Sequence, residues 1–374
     1  MLHNFEIESL LLPLLEWFPA HARVLPWRED ASPYRVWVSE IMLQQTRVEA
    51  VKPYFERFVA ALPSVAALAE CPEDELLKLW EGLGYYNRVR NMQKAAVQMM
   101  EQYDGELPAD YDKLLALQGI GSYTAGAVAS IAYGLAVPAV DGNVLRIIAR
   151  VTADDTDIAR ASFRKQVEYR LGEEMRSLQV PEGIRRTLVN ENVPGALNQA
   201  LMELGATVCL PNGLPLCDTC PWQGLCLAKC EEKITCLPNK SKAKKRKIEN
   251  RTVLVLWDDE RIAIRKRPKR GLLAGLYELP NVEGALSSAE ALKLIKEMQF
   301  SPIRIQSLGE AKHIFSHIEW HMRGYAIRVE EASDQQPNLI FVDAKDARDR
   351  YAIPSAFEAY MKHIRMRAEE ENEK

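Results

Sequence analysis

Four cysteines are spaced Cys209-x7-Cys217-x2-Cys220-x5-Cys226. Four thiolates within eighteen residues, one pair of them close, can wrap a single tetrahedral ion or one cuboidal cluster. Zinc sites usually pair two close C-x2-C units. Only one is present here, which tilts the spacing toward a 4Fe–4S cluster but leaves zinc open. Cys230 and Cys236 follow as alternative ligands, and Cys71 reads as a packing residue. Seven cysteines in 374 residues are too few and too clustered for a secreted disulfide scaffold, and they point to a reducing, cytoplasmic setting.

A second candidate is Leu117-Gln118-Gly119-Ile120-Gly121-Ser122-Tyr123-Thr124-Ala125 between two helical stretches. Gly119 and Gly121 allow a tight turn and close backbone approach, and the helix that follows opens with unpaired N–H groups. Such a terminus binds phosphate without basic side chains. An ordinary turn between helices fits the same residues. Two carboxylates complete the set. Glu40 lies in an otherwise apolar run (Val36, Trp37, Val38, Ile41, Met42, Leu43), where burial would raise its pKa and keep it protonated. Asp141 opens a helix, whose N–H donors would keep it ionised. A surface salt bridge and a plain N-cap are the respective alternatives.

These residues need elements to hold them. Residues 1 to about 207 read as helices. Ser32-Pro33 opens one through Thr46, and Ser64 and Pro72 start two more. Further helices are expected over 87–103, 111–117, 122–134, 142–151, 161–177 and 184–207, the last broken near Pro194-Gly195. Leu114 to Val140 carries no charge, but its glycines, Gln118 and Pro138 make it a buried helix and not a membrane span. Pro238 to Lys247 is a basic connector. Beyond it, Thr252–Trp257 and Arg261–Arg267 form a hairpin around Asp258-Asp259-Glu260. Strands at 303–308 and 321–329, with helices at 287–298 and 354–367, complete an α+β domain. The expected boundaries are 1–230, a connector over 231–251, 252–367 and a tail over 368–374.

The hairpin, Val140-Asp141-Gly142-Asn143-Val144 and the four-cysteine segment together resemble the endonuclease III superfamily of DNA glycosylases. Within it, Leu25-Pro26-Trp27-Arg28, the run from Val36 to Thr46, and Gly82-Leu83-Gly84-Tyr85-Tyr86-Asn87-Arg88 are similar to the MutY-type adenine DNA glycosylases. The first cysteine gap is seven residues where that family usually has six, a difference one loop residue absorbs. The resemblance implies an all-α helix–hairpin–helix glycosylase domain with a 4Fe–4S loop held by Cys209, Cys217, Cys220 and Cys226. A Nudix-like domain then follows.

The resemblance also assigns roles. Glu40 donates a proton to adenine, and Asp141 stabilises or transiently attacks the sugar, as in paired-carboxylate glycosidases. Tyr123 and Asn143 are their hydrogen-bonding partners. Gln45 and Tyr85 insert into the duplex, while Trp27, Arg28, Leu43 and Gln199 line the pocket of a flipped adenine. Tyr123 stands where bifunctional relatives carry a lysine. A phenol forms no Schiff base, so a monofunctional enzyme is expected.

Arg267 to Pro280 resembles the start of a Nudix-like domain. The stretch Gly284 to Met298 offers only Glu290 and Glu297, without the glutamate-dense helix that binds magnesium, so pyrophosphohydrolase activity is not expected. By resemblance, Phe315-Ser316-His317 instead examine 8-oxoguanine opposite adenine. The partner is therefore duplex DNA with adenine:8-oxoguanine or adenine:guanine mispairs, bound by a monomer associated with the nucleoid and not with a membrane. A net charge of −4 excludes a globally basic coat and requires local DNA contacts. The competing readings are an oxidised-pyrimidine glycosylase/lyase, opposed by Tyr123, a nucleotide-pool hydrolase, opposed by the missing glutamates, and a non-catalytic DNA-binding module. The last holds only if Glu40 and Asp141 fail to converge.

Overall fold

A computed structural model describes residues 7–241, 245–258, 261–330 and 338–364. The chain divides into two compact units. One comprises Met1–Glu70 and Arg90–Lys242, and the other Cys71–Val89 and Ala243–Lys374.

Helices build the first unit: α1 (Glu8–His21), α2 (Pro26–Glu29), α3 (Pro33–Leu43), α4 (Val48–Ala61) and α5 (Val65–Glu70). After α6 (Glu73–Leu79), which belongs to the second unit, come α7 (Asn87–Gln102), α8 (Tyr111–Ala116) and α9 (Ser122–Tyr133). They are followed by α10 (Gly142–Val151), α11 (Ala161–Ser177), α12 (Glu182–Arg185), α13 (Val193–Thr207) and α14 (Leu227–Cys230). Leu10, Leu14, Ile147, Ile148, Leu171, Leu197, Leu201 and Trp222 share one buried core, so α1, α10, α11 and α13 pack together around it. The Trp222 indole N–H donates to the Leu10 carbonyl at 2.9 Å, tying the cysteine segment to α1. Within the uncharged stretch α9 is tightly packed, and Gly126 lies so close to the Pro138 carbonyl that a Cβ would meet it at 2.4 Å. Among the described residues, no helix is long and apolar enough to cross a membrane.

Two helical expectations change. The helix from Pro33 stops at Leu43 instead of Thr46, because Gln45 takes a left-handed backbone (φ 61°) that no helix continues. Pro194 does not break α13. It sits in the first turn, where a missing N–H costs nothing, and the Asn192 side chain caps Gly195 N–H at 2.9 Å. The interruption falls earlier, between α12 and α13.

A mixed sheet forms the second unit, from β1 (Lys247–Asp258), β2 (Arg261–Lys266), β3 (Tyr277–Glu278), β4 (Asn281–Glu283), β5 (Pro302–Ile314), β6 (Ile318–Val329) and β7 (Ile340–Asp343). Helices α15 (Ser288–Glu297) and α16 (Ala344–Arg350) accompany it. The main strand order is β3-β2-β1-β6-β5, with β4 on β1 and β7 on β2. β1 and β2 are antiparallel as expected, with Trp257 opposite Ile262, while Asp259 and Glu260 of the anticipated turn lie outside the described residues. β1 also runs parallel to β6 from Lys247 to Trp257. Its odd residues (Val253, Val255, Trp257) enter one core and its even ones (Leu254, Leu256) the other, as the two-residue period of a strand buried on both faces requires.

β1 begins at Lys247, within the basic stretch, and β5 and β6 extend toward each other to form a long hairpin with Phe315-Ser316-His317 at its tip. The helix expected over 354–367 is a 3₁₀ turn at Ser355–Phe357 followed by helix over 358–364. Residues 365–367 and the tail lie outside the described residues. Within this unit α6 docks by its charges. Asp74 pairs with Lys266 at 2.7 Å, Lys78 donates to the Tyr351 carbonyl at 3.1 Å and to that of Arg348, and Glu81 accepts the Ile353 N–H at 2.7 Å. Lys78 thereby satisfies orphan carbonyls at the C-terminal end of α16.

Candidate active site

Three elements converge on the carboxylates. Glu40 projects from the third turn of α3, Tyr123 from the first turn of α9, and Asp141 is the N-cap of α10. The Tyr123 hydroxyl donates to Glu40 Oε2 at 2.5 Å, and Gln44 at the end of α3 donates to Thr124 Oγ1 of α9 at 3.4 Å. Glu40 is only 4% exposed. Burial pushes its pKa up from the usual 4.5 to about 7. The Tyr123 hydrogen bond opposes this, the Asp141 charge adds to it, and the Arg28 charge opposes it. A carboxylic acid that is still protonated near neutrality and held by a phenol can protonate a leaving group. The Tyr123 phenol is itself raised well above 10 by burial and by the two carboxylates, so it remains a donor.

Asp141 accepts from the Val144 backbone N–H at 2.8 Å and from Asn143 Nδ2 at 2.8 Å. These bonds favour the charged form, as the helix-start position suggests. Burial outweighs them, however, and its pKa is raised from the ordinary 3.8. The helix terminus therefore limits the rise without producing a depression. A carboxylate in this position can balance positive charge that develops on a bound sugar.

Trp27 is buried with its ring edge-on to Phe55 at 5.4 Å, and Leu43 is half-buried at the end of α3. Arg28 donates through Nη2 to Glu203 Oε2 at 2.8 Å and through Nη1 to the Arg23 carbonyl at 2.9 Å, with its guanidinium over the Phe18 ring. Gln199 is half-buried on α13, its amide donating to the Gly195 carbonyl at 3.3 Å.

The hairpin glycines behave differently from each other. Gly119 is left-handed (φ 78°), and a Cβ there would meet Asn91 Cβ at 2.6 Å, so glycine is required twice over. Gly121 is the N-cap of α9 in extended backbone, with open space around it and no side chain capping the terminus. The N-cap residue therefore supplies no side-chain acceptor to the first N–H groups of α9. Gln45 and Tyr85 are exposed and both left-handed (φ 61° and 49°), conformations that cost a side-chain-bearing residue about 1–3 kcal/mol and concentrate at functional positions.

In the second unit, the Tyr85 hydroxyl and Ser316 Oγ lie 3.1 Å apart. Phe315 packs edge-on against Trp320 (4.9 Å between ring centres) and against His313 (4.6 Å). The His317 carbonyl accepts from the Lys247 N–H at 3.0 Å. Glu290 closes a capping box with Ser287, and Glu297 pairs with Lys293, so both carboxylates of α15 are used within their own helix.

Cys209, Cys217, Cys220 and Cys226 line one cavity together with Ile147, Arg150 and Trp222. Arg150 donates to Cys209 Sγ at 3.3 Å, and Arg146 donates to the Cys209 carbonyl at 3.0 Å. Among the described residues, no three His, Cys, Asp or Glu side chains converge as tightly as a single metal ion requires.

A family model for the HhH-GPD superfamily of base excision DNA repair proteins matches residues 38–173, and a NUDIX domain model matches 252–363. The adenine DNA glycosylase of Rattus norvegicus is 33% identical over 94% of this chain and 78% of its own length. That of Homo sapiens is 34% identical over 87% and 68%, and that of Buchnera aphidicola from Acyrthosiphon pisum 30% over 86% and 87%. The chain belongs to the adenine DNA glycosylase family. A thermostable thymine-DNA glycosylase shares the helical fold, with a TM-score of 0.50 and 25% identity over 60% of this chain and 96% of that one. The expected architecture, a helix–hairpin–helix glycosylase domain followed by a Nudix-like domain, is the one found.

As a member of this family the chain is an enzyme that hydrolyses N-glycosyl bonds. Three residues at or near its site escaped sequence reasoning. Arg146 and Arg150, one helical turn apart on α10, link the helix capped by Asp141 to the cysteine segment. Glu203 binds both Arg23 and Arg28. Its position four residues after Gln199, on the same face of α13, offered the one signal.

Proposed function

We propose that this enzyme is a monofunctional glycosylase that extrudes adenine mispaired with 8-oxoguanine or guanine and hydrolyses its glycosidic bond, leaving an intact abasic site. The observation that carries the reading is the buried Glu40 carboxyl, protonated near neutrality and joined to Tyr123, with Asp141 close enough to act on it. Glu40 protonates the purine so that it departs neutral, and Asp141 balances the cationic sugar until water adds. Asn143 orients Asp141. Tyr123 holds Glu40 and provides no amine for a lyase step.

Trp27, Arg28, Leu43 and Gln199 receive the flipped base, Gln45 and Tyr85 enter the space it leaves, and the N–H groups after Gly119 and Gly121 hold phosphate. Phe315, Ser316 and His317 examine the opposite base. The adenine DNA glycosylases of three organisms and the matching superfamily model support this substrate class.

Cys209, Cys217, Cys220 and Cys226 suit a 4Fe–4S cluster better than zinc. The spacing has only one close C-x2-C pair, all four thiols line one cavity, and Arg146 and Arg150 supply positive charge beside a donor set that would be anionic. Such a cluster would fix the cysteine segment, and no step of base excision passes through it.

The test uses three duplexes carrying adenine opposite 8-oxoguanine, adenine opposite guanine, or thymine glycol, each analysed with and without alkali. Alkali-dependent breakage at adenine alone is expected. Breakage without alkali, through an adduct trapped by borohydride, would overturn the monofunctional assignment.

A further inference from the structure

Glu203 is completely buried on α13, beside Met202, whose sulfur lies 3.8 Å from the Tyr123 hydroxyl. Its carboxylate takes Arg23 on one oxygen, through Nε at 2.5 Å and the backbone N–H at 3.3 Å. On the other it takes Arg28 Nη2 at 2.8 Å and Arg23 Nη2 at 3.3 Å. One negative charge thus serves two guanidiniums, of which Arg28 is the more buried, and leaves a net positive charge. Two of the Arg28 nitrogens are occupied, by Glu203 and by the Arg23 carbonyl, and Phe18 covers a face of the guanidinium. Its orientation is therefore fixed, and Nε is left for a ligand.

We infer that Glu203 is a positioning residue for base excision: it locks Arg28 into the purine pocket and sets how much positive charge Glu40 meets. The inference rests on the role proposed above for Glu40. The groups that act electrostatically on Glu40 are Tyr123 from α9, Asp141 from the start of α10 and Arg28 from α2. Of these, Arg28 alone is cationic, so its neutralisation by Glu203 bears directly on the acid.

The signs follow from this arrangement. Glu203→Gln removes the counter-charge while Arg28 keeps its bond to the Arg23 carbonyl and its place over Phe18. An unneutralised guanidinium beside Glu40 favours the ionised carboxylate, so the alkaline fall in activity moves to lower pH. Displacement of the guanidinium by as little as about 1 Å lowers the rate by about 100-fold. Glu203→Asp keeps the charge and should recover the wild-type midpoint. Arg28→Gln removes the cation and moves the midpoint upward.

The experiment measures single-turnover adenine release against pH, on a duplex with adenine opposite guanine. The proteins are the wild type, the three single variants, the Arg28→Gln/Glu203→Gln double variant and, as a control, Glu40→Gln. Glu203→Gln strands both Arg23 and Arg28, whereas the double variant leaves only the more exposed Arg23 without its partner and so guards against loss of folding in Glu203→Gln. The inference expects non-additivity: once Arg28 is gone, losing Glu203 changes the rate less than threefold. A midpoint in Glu203→Gln that is unchanged or shifted upward, or additive losses in the double variant, would overturn it. Adenine release surviving in Glu40→Gln would instead overturn the acid role of Glu40, a separately readable result.

Discussion

Replacing Glu40 by Gln should abolish base excision and stabilise the fold at the same time. The pKa of Glu40 rises from 4.5 to about 7 in the native protein, chiefly because burial penalises the charge. Between those values the unfolded chain releases a proton that the native state retains. Where the native state binds more protons, stability falls as pH rises. The difference of about 2.5 pK units, at about 1.4 kcal/mol each, amounts to about 3 kcal/mol once pH exceeds 7. With Glu40 only 4% exposed, little of this is lost to solvent screening.

Gln has the same shape, still accepts from Tyr123 and does not titrate. Urea unfolding of wild type and Glu40→Gln at about pH 4.5 and about pH 8 gives the answer. The variant should match the wild type at the lower pH and exceed it by about 3 kcal/mol at the higher. A gap that is the same at both pH values would refute the burial argument and the acid role built on it. Stability held back at a catalytic group is a familiar cost of function.

Tyr123→Phe removes a hydrogen bond that favours ionised Glu40, so the alkaline fall in single-turnover adenine release should move up by about one pH unit. A downward shift would count against the assignment. Gly119→Ala forces a side chain into left-handed backbone against Asn91. It should lower stability by about 1–3 kcal/mol and weaken binding to matched and mismatched duplexes alike, read by fluorescence anisotropy. Protein as purified should contain about four iron atoms per chain and absorb visible light, with iron lost in Cys217→Ser. Colourless protein holding zinc contradicts the cluster. Ser316→Ala with His317→Ala should reduce the preference for adenine opposite 8-oxoguanine over adenine opposite guanine, and an unchanged ratio of excision rates would exclude that role.

Much of the helical unit was legible because its signals are local. The helix over 161–177 appears with the expected bounds, and the apolar neighbours of Glu40 along α3 foretold its burial and raised pKa. What escaped depends on partners distant in sequence. Glu203 reads as an ordinary helix acid until Arg23 and Arg28, about 180 residues away, close on it. Lys247 to Arg251 looks like polar connector, yet parallel pairing with β6 makes it strand. Gln45 gives no sign in sequence of its left-handed backbone, which ends α3 early. At Asp141 the hydrogen-bond donors were legible, but the weight of burial against them was not.

The pH dependence of adenine release under single-turnover conditions addresses the proton donor most directly, in wild type and in Glu40→Gln. A rate that falls as pH rises through about 7 in the wild type, and is absent in the variant, is the expected result. A wild-type rate that stays flat from about pH 6 to pH 9, or a variant that turns over like the wild type, would contradict proton transfer from Glu40.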